Sequence, residues 1–89
     1  MSTFVIIPTV QSAEQKTSLD DYLLKRFANA AYQLPSGEWF VAYDGTSRQL
    51  ADDTGISEGT FGSAIVLHTS GYWGRADKST WEWLAANEK

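Results

Sequence analysis

Residues 39–43, Trp39-Phe40-Val41-Ala42-Tyr43, are apolar at every position. Aromatic and β-branched side chains favour an extended backbone, on which successive side chains point to opposite faces. Trp39, Val41 and Tyr43 therefore share one face, and Phe40 and Ala42 the other. A strand that is apolar on both sides belongs in the interior of a sheet and must be covered above and below. The chain has 89 residues, which is enough for one core and too few for two. A covered sheet in a single small domain is the architecture to expect.

The rest of the chain supplies the covering pieces. Residues 3–9, TFVIIPT, form a β-branched run that reads as a buried first strand stopped by Pro8. VQSAEQKTS reads as a polar loop. Ser18, with Asp21 three residues on, then opens a helix over 18–30, where Leu19, Tyr22, Leu23, Phe27 and Ala30 recur on one face. PSGE at 35–38 is a turn between two extended pieces. Thr46 and Gln49 form a capping box for a short helix, and Gly55 is its left-handed C-terminal cap. SAIVLHT at 63–69 is a further strand. Ser79 and Glu82 make a third capping box, opening a final helix over 80–87. Strands alternating with helices at this length predict an α+β, ferredoxin-like open sheet. Right-handed crossovers put the two main helices on one face, and a short C-terminal helix is added.

Composition narrows the function classes. Hydrophobic residues make up 43% and charged residues 20% of the chain, as in ordinary globular proteins. There is no cysteine, which removes disulfides, thiolate nucleophiles and sulfur-ligated zinc sites, and fits a cytoplasmic, reducing setting. The opening MSTFVIIPTVQSAEQK has no basic segment and only a short apolar run, so it reads as neither a signal peptide nor a membrane span. Seven basic against eleven acidic residues give a net charge of −4, which disfavours a general nucleic-acid binder because affinity there rests on neutralising phosphate. No cofactor motif is present: EGTFGSA lacks both the P-loop lysine and a dinucleotide fingerprint.

Few residues offer chemistry. His68 is the single histidine, and the local sequence places no nucleophile or carboxylate beside it, so a structural role is the simpler reading. Asp44 ends the central strand, where function often sits, but beside Gly45 it is most simply a turn residue. Asp20 and Asp21 favour the positive end of the helix dipole. The aromatic-rich end is the richer place. Tyr72 and Trp73 stand near Arg75 and Lys78, and Trp83 is rotated off the face that Trp81 and Leu84 share. This mixture of rings and positive charge suits an interface hot spot or a base-stacking platform. Core packing with self-association is the plainest use of four tryptophans in so small a domain.

Several of these segments together resemble a family. Ser36, Trp39 and Val41 fit its central strand, and Thr46 to Asp53 its short helix. Ile65 to Leu67 fit the next strand, and Gly71, Trp73, Gly74, Trp83 and Leu84 the closing G-x-W-x-G and W-L pattern. The chain resembles the small bacterial SinR-like proteins, which are commonly related to the CRISPR-associated Cas-two-type and VapD-type ferredoxin-like domains. The resemblance implies a ferredoxin-like fold and a possible homodimer. Nucleases of the related fold place a metal-binding aspartate at the end of the first strand, but FVIIPTV carries no carboxylate there. The resemblance therefore implies a fold without an activity. The leading expectation is a non-enzymatic domain acting in self-association or protein-partner binding, with Trp73 and Trp83 as contacts. The alternatives are a metal-dependent ribonuclease using Asp44 and a non-catalytic nucleic-acid binder using Tyr72, Trp73, Arg75 and Lys78.

Overall fold

The structure is a computed structural model that describes residues 2–72 and 74–87. The elements run β1 (Ser2–Val10), α1 (Ala13–Phe27), a short 3-10 turn (Ala28–Ala30), β2 (Ala31–Gln33), β3 (Trp39–Tyr43), α2 (Ser47–Thr54), β4 (Ser63–Thr69) and α3 (Lys78–Asn87). The four strands form one sheet in the order β2-β3-β1-β4, and every neighbouring pair is antiparallel. A βαββαβ chain with this strand order is the ferredoxin-like arrangement. The strand that is apolar on both faces, β3, is indeed interior.

The register divides the sheet into two faces. Phe4 lies opposite Val41 and His68, and Ile6 opposite Trp39 and Val66. Phe4, Ile6, Trp39 and Val41 are buried in one cluster with Leu19 and Leu23 of α1, Leu50 of α2, and Ile56 and Phe61 of the following loop. Both main helices therefore cover this face. On the other face, Val5 lies between Phe40 and Leu67, and Ile7 lies opposite Ile65. Ala42 of β3 and Leu84 of α3 are buried outside the main cluster.

Helix α1 starts earlier than the 18–30 span expected from sequence. Its N-cap is Ser12: the Ser12 hydroxyl accepts from the Gln15 backbone N–H at 3.1 Å, and the Ser12 backbone N–H donates to Gln15 Oε1 at 2.9 Å. The polar run VQSAEQKTS thus contains a complete capping box, and from Ala13 onward it forms the start of the helix instead of a loop. Asp20 consequently lies mid-helix, away from the dipole's positive end. It accepts a 2.9 Å hydrogen bond from Trp39 Nε1–H and a 3.2 Å bond from Gln33, and pairs with Lys16 at 3.3 Å. The Trp39 side chain is 1% exposed, so this carboxylate satisfies an indole N–H at the edge of the core.

The other caps are mixed. Thr46 and Gln49 form the capping box of α2, and Gly55 adopts φ 83° as its C-terminal cap. Helix α3 begins at Lys78, with Thr80 and Trp81 N–H both bonded to the Asp77 carbonyl. Ser79 therefore lies inside the first turn, and its hydroxyl is engaged by Tyr32 at 2.9 Å instead of closing a capping box. Strand β1 also continues past Pro8 to Val10, with a register irregularity between Pro8 and Val10 opposite the start of β4. A bulge of this kind lets the imino acid remain in the ladder.

Candidate functional site

The aromatic-rich end of the chain folds over the second face of the sheet. Trp83 stacks on Phe40 with ring centroids 6.0 Å apart and planes 13° from parallel. Tyr32 lies 5.9 Å from the same indole. Trp83 Nε1–H donates to the Asn29 carbonyl at 2.9 Å, and the Tyr32 hydroxyl contacts the hydroxyls of both Ser79 and Thr80. These contacts tie α3 to the β2–β3 half of the sheet. Tyr72 packs at 6.2 Å against Trp81. Arg75 and Lys78 are exposed alongside. Trp73 lies outside the described residues.

The sequence-predicted polar candidates stand elsewhere. His68 is on the helix-covered side of β4, 5.2 Å from the Phe4 ring. Asp44 is an exposed turn residue after β3. Among the described residues, no three His, Asp or Glu side chains gather where they could hold a metal ion. The nearest ionisable cluster is structural. Asp53 of α2 pairs with Arg26 of α1 at 2.8 Å and accepts from the Tyr43 hydroxyl of β3 at 3.2 Å. Tyr43 has its pKa raised above the usual tyrosine value, first by burial and then by its hydrogen bond to Asp53 and the charge there.

The residues that sequence reasoning missed are aliphatic. Helix α3 covers the β2–β3 half of the second face, while on the β4 half Ile65 is 52% and Leu67 47% exposed. Val5 and Ile7, their cross-strand partners on β1, are half-buried. The four side chains form an apolar strip on two strands whose sixteen residues include one ionisable group, His68. Alternation within SAIVLHT already places Ile65 and Leu67 together. That β4 lies at the sheet edge, next to the half that α3 leaves open, follows only from strand order.

No helix among the described residues is long and apolar enough to cross a membrane. No protein-family model matches the chain, and no curated protein matches it. The geometry defines a class, a ferredoxin-like α+β domain with a C-terminal helix over part of its open face. Its functional reading rests on the surface itself.

Proposed function

We propose that the chain is a non-enzymatic, SinR-like cytosolic module that pairs with a second copy of itself through the second face of its sheet. The observation that carries this is the exposed strip Ile65–Leu67, flanked by Val5 and Ile7 on strands almost free of charge. A chain with net charge −4 repels its own copies, and a surface free of like charges is where two copies can meet without desolvating ions. Aliphatic side chains suit contact with another apolar protein surface better than they suit a nucleobase, which stacks on open aromatic faces. One face of Trp83 is already covered by Phe40. A standard interface takes about 800 Å² from each partner, so the contact extends past these four side chains over a substantial part of the 5624 Å² surface.

Sedimentation velocity from low micromolar to submillimolar concentration tests this reading. The unmodified chain is expected to form a dimer. The double variant Ile65→Ser/Leu67→Ser is expected to stay monomeric with an unchanged circular dichroism spectrum, because both positions are exposed. A wild-type chain that remains monomeric throughout, or a variant that dimerises as well as wild type, would remove the proposal.

A further inference from the structure

The helix-covered side of β4 carries a second feature, separate from the Ile65–Leu67 strip. Helix α2 covers this side incompletely. A groove of about 470 Å³ remains between α2, the loop that follows it and β4. Its apolar lining comes from Ala51, Ile56, Ala64 and Val66, and Arg48 is the one charged residue among those that line it. The Arg48 side chain is 91% exposed, and its pairing with Asp52 spans 4.0 Å, against 2.8 Å for Arg26 and Asp53. Its guanidinium is therefore available to a carboxylate from outside.

The strand beside this groove is an open edge. β4 pairs with β1 on one side, and among the described residues nothing pairs with its other side. Natural edges are commonly blocked by brevity, proline or lysine. The opposite edge strand, β2, has three residues, whereas β4 has seven and contains neither proline nor lysine. An unblocked edge accepts an extended chain through backbone hydrogen bonds, and the side chains of such a chain alternate between the two faces of the sheet. Every second one would then lie over the groove.

We propose that the free edge of β4 takes an extended peptide from a partner protein by strand addition, with alternate apolar side chains over the α2–β4 groove and an acidic side chain on Arg48. This goes beyond self-association and uses the opposite side of β4. Only the backbone edge is common to both faces, and the second face is left open.

The probe is a capped heptapeptide with threonine at even positions, valine at the third and fifth, and glutamate at both ends. Two controls carry glutamine or lysine at those ends. Amide hydrogen exchange and chemical shifts of the isotope-labelled chain are the readouts. The glutamate peptide is expected to slow exchange along 63–69 and to shift Ala51 and Ile56. Its binding should exceed that of the lysine peptide by about tenfold, the size of one charge-assisted hydrogen bond, and Arg48→Glu should reverse the order. Unchanged β4 amides with all three peptides would overturn strand addition. Equal binding of the glutamate and lysine peptides would overturn the acidic partner. Protection of the same amides on concentrating the Ile65→Ser/Leu67→Ser chain alone, in which the face contact is removed, would assign the edge to a second copy and also sink the idea. The Ile65→Ser/Leu67→Ser variant should still bind the peptide, so failure of the dimer and failure of this inference are read separately.

Discussion

Asp20 shows how one carboxylate can serve a core it does not enter. It accepts the indole N–H of buried Trp39 while its other oxygen, at the surface, pairs with Lys16. Removing the acceptor strands a donor in the interior, which costs about 1–3 kcal/mol. Asp20→Ala is therefore expected to lower the unfolding free energy from urea titration by that amount, with Trp fluorescence as the probe. Asp20→Asn keeps an acceptor oxygen and should cost clearly less. Equal losses for the two variants would show that the hydrogen bond to Trp39 contributes nothing. Nothing in the sequence joins Asp20 to Trp39, nineteen residues apart. A carboxylate near an expected helix start looks complete without a partner, and only the earlier start at Ser12 leaves it mid-helix facing the sheet.

Element boundaries depend on a few tight contacts. The loop before β4 meets the end of β1 at Gly62, where φ is 81° and an added Cβ would lie 2.5 Å from the Val10 carbonyl oxygen. Nearby, Gln11 Nε2 donates to the Phe61 carbonyl at 2.6 Å. Gly59 has nearly the same φ, 80°, but its added Cβ would meet nothing closer than 4.0 Å. Both Gly→Ala changes carry the left-handed penalty of roughly 1–2 kcal/mol, and Gly62→Ala adds a backbone clash. Thermal unfolding should rank Gly62→Ala well below Gly59→Ala. If the two melt together, the β1–loop junction yields more readily than the geometry implies. The Thr46–Gln49 capping box is legible in the sequence as a Thr three residues before a Gln. Ser12–Gln15 obeys the same rule, but the polar run around it lacks the apolar periodicity that marks a helix in sequence. Ser79–Glu82 fits the pattern as well, yet the Ser79 hydroxyl has a tertiary partner in Tyr32.

At the scale of the whole molecule, the radius of gyration of 12.4 Å is that of a compact domain of this length. The proposed dimer contact lies on strands nearly free of charge, whereas the net charge is carried by the helices, turns and loops. Salt therefore has little attraction to screen at the contact and some repulsion to screen elsewhere. Raising NaCl from about 0.05 to about 0.5 M is expected to leave dimerisation unchanged or to strengthen it, as followed by light scattering. A steep loss with salt would point to a contact built on ion pairs or phosphate, as in nucleic-acid binding.

Much of the architecture was legible along the chain. The two-sided apolar strand at 39–43, the strand at 63–69, the turn at 35–38 and the α2 capping box are local patterns, each decided by neighbouring residues and the period of the backbone. The α+β order follows from their alternation. What surrounds each side chain is a different matter, because strand order and helix docking bring together residues far apart in sequence. Trp83 stands among the aromatic residues near the chain's end in sequence, and only the fold stacks it on Phe40 and sets Tyr32 beside it, both more than forty positions earlier. Alternation puts Ile65 and Leu67 on one side of an apolar strand, and they are exposed because β4 is the edge strand, on the half of the sheet that α3 leaves open. Periodicity shows which side chains share a face, and only the folded chain decides whether anything covers it.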